Sequence, residues 1–397
     1  MKEYTPAWHG VIETSFKNKF TPASNAGVPG PFGIKYGQKF TPSVHGMETR
    51  FGLKHKEYDL TWWRENSFFH HDAILCSAFY GIEKWNFREY YGIPKENFLF
   101  IADSGGFEQL TQGVRLEPIE ILKWQEKNAD IGFILDVPPL DPKSLGPTGD
   151  FNFFKQCAEK THRNTEIAIR NREKDDGFML YFVLQGSNMK ELNFWHSGID
   201  EREKEIDGIA VSPKPPNDPM QVALLIAYAK WKEWKNIHVL LGTGQDTTPI
   251  IIYGSKYFNR LTFDSSSYGV GARLMKYNLP LSSGALFFGE QFDGKIKKLP
   301  CDCPVCSVVT VDDLQKGGSI PGALISLHNL YIYIRYVNFL DSLKDNYDQY
   351  MQYVKGNNSD RTLKAMEFYK CFEEEGFEKA YQKFFEPKKT KKLTEVF

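Results

Sequence analysis

The chain has almost no net charge to spend. Its 397 residues carry 49 Lys and Arg against 50 Asp and Glu, a formal −1. A protein that tracks phosphates over its whole surface shows a basic excess, so any contact with nucleic acid must be local, and the basic tail Lys388, Lys389, Lys391 and Lys392 reads as a solvated end. No apolar run reaches membrane length and no secretory signal opens the sequence, so no membrane partner is expected and the cytoplasm is the expected compartment. Cysteine is scarce, six in all, which excludes a disulfide-built scaffold in a chain long enough to bury a large core. Also missing is a nucleotide-binding glycine fingerprint after the first apolar run, which argues against a dinucleotide-binding open sheet. Aromatics are plentiful instead: 31 Phe and 20 Tyr supply core mass and rings for stacking on a flat ligand.

From about residue 70 the sequence acquires a rhythm. Short apolar runs stand at 73–79, 98–103, 131–136, 178–186, 207–212, 237–244 and 261–264, separated by stretches with helical spacing such as PIEILKWQEKNA and PMQVALLIAYAKWKEW. Continuously apolar strands alternating with helices predict a parallel sheet covered on both faces. Seven runs are evident, and VHGMETRFG (44–52) is the expected eighth, which closes a (β/α)8 TIM barrel of the α/β class. The expected divisions are an irregular Gly/Pro-rich extension over 1–55, a barrel over 56–335 that includes a zinc-binding subdomain near 285–330, and a helical extension over 336–397.

Polar residues then fall where an apolar strand should simply stop. Asp103, Asp136, Gln185, Ser212 and Asp264 each end or follow a run. A single acid there reads as a helix N-cap. Three aspartates and a glutamine from different strands are better explained by the C-terminal mouth of a barrel, where such side chains converge. In FIADSGGFEQL, Gly105 and Gly106 let the chain turn sharply after Asp103 and leave room beside it for a flat ligand.

Cys301, Cys303 and Cys306 form C-x-C-x-x-C, and His328 follows in SLHNLYIYIRY. Three thiolates and an imidazole make a closed tetrahedral site for one structural Zn2+, with no position left for catalysis. Cys76, Cys157 and Cys371 read as lone buried thiols.

Taken in order, DSGGFEQ, FILDVPP, VLQGS, GIAVSP, LLGTGQ, TFDSSS and CDCPVC…SLHN resemble the tRNA-guanine transglycosylase superfamily over roughly residues 70 to 335. The resemblance implies a zinc-bearing TIM barrel that exchanges a guanine in a polynucleotide for a 7-deazaguanine base. It implies Asp264 as nucleophile and Asp103 as general acid/base. It also implies Asp136 and Gln185 on the edge of the base, Gly208 as a backbone contact to it, and Phe107 and Leu241 on its two faces, with Ser104 in the same pocket. The zinc ligands are Cys301, Cys303, Cys306 and His328.

Departures from the family pattern refine the expectation. Pro213 stands where bacterial members that accept an aminomethyl base carry a glutamate, so a neutral 7-cyano-7-deazaguanine (preQ0) is the expected incoming base. After Asp264 the stretch SSSYGVGARLMKY replaces the element that reads an anticodon loop, leaving Arg273 as a phosphate contact. The residues beyond the barrel look helical and show no second globular domain. DNA is therefore the expected polynucleotide, in a bacterial or phage-infected cell, as in the DNA-guanine transglycosylases of the DpdA family, with a protein helper conceivable for opening duplex. The alternatives are exchange on tRNA, and a non-catalytic zinc-containing partner subunit that binds nucleic acid; the retention of Asp103 and Asp264 speaks against the latter.

Overall fold

The computed structural model describes residues 58–386 apart from 65–66, 142, 174–176, 216, 241–243, 266, 281–284 and 293, together with the backbone of 18–24 and of 39–40. Eight parallel strands close into a barrel: β1 (Asn18–Ser24), β2 (Ala73–Ser77), β3 (Leu99–Asp103), β4 (Ile131–Phe133), β5 (Met179–Gln185), β6 (Gly208–Ser212), β7 (Asn236–Val239) and β8 (Arg260–Ser265). They pair in sequence order, and β1 closes the ring by pairing with both β8 and β2. All seven runs expected as strands are strands. The eighth comes from residues 18–24, within the span expected to be irregular, while 44–52 lies outside the described residues.

Strand alternation sorts the core into two layers. Leu99 and Ile101 of β3, Ile131 and Phe133 of β4, Tyr181 and Val183 of β5 and Ala210 of β6 fill the barrel lumen. The opposite phase, including Phe100, Ala102, Phe182, Leu184, Ile209 and Val211, packs outward against the helices. The helix Pro219–Trp231 is apolar along almost its whole length because it is covered twice, by the barrel and by the C-terminal helices.

Those helices, Tyr347–Asn357, Asp360–Glu375 and Phe377–Phe385, form the expected helical extension. They are anchored by buried hydroxyls that satisfy barrel-helix carbonyls: Tyr350 Oη donates to Pro249 O (2.6 Å) and Tyr369 Oη to Ile250 O (3.2 Å). Arg361 adds a two-pronged pair with Asp218, the N-cap of Pro219–Trp231. Among the described residues no helix is long and apolar enough to cross a membrane.

Candidate active site

The lumen phase of each strand, carried two residues further, delivers the polar groups. Leu99 and Ile101 lead to Asp103, Tyr181 and Val183 lead to Gln185, and Thr262 leads to Asp264, so all three side chains reach the same C-terminal mouth. Asp136 lies three residues past β4 and joins them: Gln185 Nε2 donates to Asp136 Oδ2 at 2.6 Å. Asp136, Gln185 and Asp264 are all buried.

Four charges share this small volume. Burial raises the Asp103 carboxyl well above the usual carboxylate range, and Glu108, Asp136 and Asp264 push it further in the same direction. Among the described residues the Gly105 N–H, donating to Asp103 Oδ2 at 3.3 Å, opposes this. Asp136 is also raised by burial, but Gln185 and the nearby Lys214 ammonium favour its charged form. Burial and the neighbouring acids thus favour the protonated form of Asp103, and Asp136 is better supported as an anion that accepts N–H groups.

Unpartnered buried atoms trace the space that a ligand would fill. Ser104 Oγ, Glu108 Oε2, Gln185 Oε1 and Lys214 Nζ find no hydrogen-bond partner among the described residues. Buried polar groups normally have one, and these come from the turn after β3, the helix that starts at Gly106, the end of β5 and the segment after β6. Gly105 turns with φ +84°, a conformation that a side chain rarely adopts, and a Cβ at Gly106 would lie 2.5 Å from Asp136 Oδ1. Both glycines are therefore required, one by the turn and the other by the closeness of Asp136.

Phe107 follows at the rim, 39% exposed, where a ring can cover one face of a planar base. Arg273, exposed at the end of the helix Ser267–Arg273, is close enough to influence Tyr80, which also senses Glu108. Val270 and Leu274 are exposed beside it. Leu241, expected on the opposite face of the base, lies outside the described residues.

Gly208 is corrected. It opens β6 opposite Tyr181, four residues before Ser212, which pairs with Gln185 at the mouth. That separation is about 13 Å along a strand. A Cβ on Gly208 would meet the Tyr181 ring and Asn236 O, both at 2.7 Å, so the glycine serves packing at the closed end of the barrel. The chain reaches the mouth only at Ser212 to Lys214.

Sequence reasoning also passed over three residues. Glu108 sits in the same motif as Asp103, in the first turn of the helix that opens at Gly106. Lys214 hides among prolines. His238 occupies the lumen phase of β7, fully buried, with Nε2 3.1 Å from Asp264 Oδ1 and Nδ1 2.8 Å from Thr262 Oγ1.

The cysteine cluster fits zinc. The four ligand atoms of Cys301, Cys303, Cys306 and His328 all lie within 4.8 Å of one another, with His328 Nδ1 3.4 Å from Cys303 Sγ and 3.3 Å from Cys306 Sγ. Such spacings suit four donors around one tetrahedral ion. His328 Nε2 donates to Asn278 O at 2.8 Å, which leaves Nδ1 as the ligating lone pair, and the Tyr277 ring stacks on the imidazole at 3.7 Å. The ion would tie the 301–306 turn to the helix Ser319–Leu343 and to the strand Lys276–Asn278. A second grouping, His196, Asp200 and Glu203, does not suit a cation. His196 Nδ1 faces Asp200 at 2.9 Å and Nε2 accepts from Trp234 Nε1 at 3.2 Å, so no ring lone pair is left.

No family model matches the chain. Among curated proteins it is similar to the tRNA-guanine(15) transglycosylase of Methanococcus aeolicus, 31% identical over 245 residues, which is 59% of this chain and 35% of that protein. The tRNA-guanine(15) transglycosylases of Methanocaldococcus jannaschii (26% over 252 residues, 59% and 35%) and Saccharolobus solfataricus (25% over 251 residues, 60% and 46%) match similarly. The chain thus spans between about a third and a half of the length of these relatives.

Proposed function

We propose, for a chain related to the tRNA-guanine transglycosylase superfamily, that it exchanges a guanine in a polynucleotide for a 7-deazaguanine base through a covalent intermediate on Asp264. The observation that carries this reading is the convergence of three aspartates and a glutamine on one barrel mouth, with Asp136 and Gln185 already paired and Asp103 held toward its protonated form.

Asp136 and Gln185 grip the edge of the base, the carboxylate accepting its N–H groups and the amide meeting the oxygen beside them. Asp264 attacks the anomeric carbon. The glycosidic electron pair leaves with guanine, which takes the proton of Asp103, and a sugar–Asp264 ester forms. An incoming base then gives its proton to Asp103 and attacks the same carbon, and the ester's electron pair returns to Asp264. Bonds and protons balance with no oxidant, reductant or nucleotide cofactor. Extracting the guanine from its stack costs a few kcal/mol, offset by contacts on the base's edge and faces, Phe107 supplying one face. Cys301, Cys303, Cys306 and His328 would hold a zinc ion, which would supply structural rigidity rather than chemistry.

For the polynucleotide, tRNA is favoured over the DNA expected from the loop after Asp264, because the named relatives are tRNA enzymes. For the incoming base, a neutral 7-substituent such as the nitrile of preQ0 is favoured: Pro213 and the Lys214 ammonium occupy the segment after β6, and a cation there disfavours an aminomethyl ammonium. The test is incubation with radiolabelled guanine, offering tRNA and DNA separately, followed by displacement with preQ0 or its aminomethyl analogue. Label in tRNA that requires Asp264 and is displaced better by preQ0 is expected. Label in DNA alone reverses the choice of polynucleotide, and preference for the aminomethyl base overturns the choice of substituent. Exchange that survives Asp264→Ala refutes the nucleophile.

A further inference from the structure

We infer that His238 is a positioning residue that holds Asp264 and controls the second half of the exchange, the release of the sugar from the aspartyl ester. This rests on the assignment of Asp264 as nucleophile.

The array is written into strand register. His238 of β7 pairs with Thr262 of β8, and Asp264 stands two residues beyond Thr262 on the same lumen phase. The imidazole spans both: Nδ1 is 2.8 Å from Thr262 Oγ1, and Nε2 is 3.1 Å from Asp264 Oδ1. Phe133 lies against the ring with centroids 4.8 Å apart, so the imidazole is fixed from the side as well. A carboxylate only accepts, so with Asp264 ionised the proton between the two groups belongs to Nε2, in either protonation state of the ring. His238, Thr262 and Asp264 are buried to within 1% of complete exclusion from solvent, where a charge-assisted hydrogen bond weighs more than it does in water.

The direction of the effect follows from the charge on Oδ1. Attack through Oδ2 forms the ester and leaves Oδ1 as its carbonyl oxygen, a weaker acceptor than a carboxylate oxygen. When the incoming base attacks, the C–O bond breaks, its electron pair returns to the carboxylate, and negative charge flows back onto Oδ1, already aimed at the Nε2–H. The hydrogen bond therefore strengthens as the ester opens. It lowers the barrier to departure of Asp264 and raises the barrier to ester formation, along which the same bond weakens. A mutant lacking the donor should form the adduct and then hold it.

The experiment is a two-stage single-turnover assay on the full chain with tRNA, and with DNA in parallel. Adduct formation without added base is followed on denaturing gels, and its decay is followed after a guanine chase. His238→Phe should slow the chase roughly ten- to a hundredfold relative to its effect on formation, the range of one hydrogen bond to a charged group. His238→Gln, whose amide can replace the Nε2–H, should recover most of the chase rate, and Thr262→Val, which removes the support behind the ring, should fall between. Equal slowing of both stages, or an unchanged chase in a folded His238→Phe, overturns the inference. If His238→Phe does not fold, the Gln and Val variants decide it by the same ratio. A wild-type chain that forms no adduct on either polynucleotide defeats the functional assignment instead. The hydrogen bond is read independently by 15N NMR of labelled histidine: a protonated Nε2 whose shift moves in Asp264→Ala supports it, and a protonless Nε2 overturns it.

Discussion

Gly106→Ala sets the local preference of the backbone against the needs of the site. Gly106 is the first residue of a helix and has no left-handed φ, so alanine suits its conformation and in an exposed helix would add up to about 1 kcal/mol. Here the new methyl would lie 2.5 Å from Asp136 Oδ1 and 2.6 Å from Asp136 O, where ordinary contact begins at 3.4 Å. Relief requires a displacement of about 0.9 Å, the difference 3.4 − 2.5. Asp136 cannot give way cheaply, because its carboxylate is held by Gln185 at 2.6 Å. Overpacking of this kind costs about 1–3 kcal/mol, so the net change in stability should be small, roughly 0–2 kcal/mol destabilising. The effect on exchange should be large, since a misplacement of about 1 Å in a binding group can cost on the order of a hundredfold. Thermal denaturation and steady-state guanine exchange measure the two quantities. The control is Gly113→Ala at the other end of the same helix, where a Cβ meets nothing within 4 Å but φ is +65°. It should lose about 1 kcal/mol of stability and keep its exchange rate. A Gly106→Ala enzyme with wild-type kcat/KM would refute the claim that the base is read by Asp136 across this glycine.

Three further outcomes follow from the charges and the metal. Because the folded state raises the Asp103 pKa, Asp103 favours folding fully only below its unfolded value of about 3.9, and that contribution is lost as pH rises toward and through the folded value. Asp103→Asn should therefore abolish exchange yet gain in Tm over the wild type as pH rises above about 4, and a pH-independent difference would count against the burial argument. Lys214→Met removes a cation that favours ionised Asp136, so protonation of Asp136 should set in at higher pH and the KM for guanine should rise earlier as pH falls. Superimposable KM profiles would show that Lys214 does not sense the base site. Cys306→Ser, or a strong chelator, should release one Zn2+ per chain by mass spectrometry and lower the Tm by roughly 10 °C or more, a loss of zinc with unchanged Tm being the contrary result.

Most of the site was legible because strand period and barrel topology act together. Leu99, Ile101 and Asp103 share one phase, as do Tyr181, Val183 and Gln185, so an acid or amide at the end of the lumen phase is directed to the mouth by geometry alone. The cysteine–histidine cluster was legible for a different reason: three thiols within six residues are a spacing suited to one metal ion, and the helix carrying the histidine brings it to them. The first strand was not legible. NKFTPAS is short and polar and contains a proline, and its strand character comes from closing the gap between β8 and β2, which local pattern does not encode.

Gly208 and His238 show how the same period both misleads and informs. GIAVS invites alignment by its letters, yet within a strand the position decides which end of the barrel a residue serves, and the pairing of Gln185 with Ser212 places the mouth four residues past the glycine. In NIHV the histidine interrupts an apolar run and looks like a lone core residue. Its lumen phase becomes evident only when β7 is set in register against LTFD, which brings Thr262 beside it and Asp264 one pleat above. A polar residue inside a buried barrel strand must find partners for its hydrogen bonds on adjacent strands. Once Asp264 is taken as the group that bonds the sugar, a histidine on the neighbouring strand in that phase is the residue best placed to govern how firmly the bond is held.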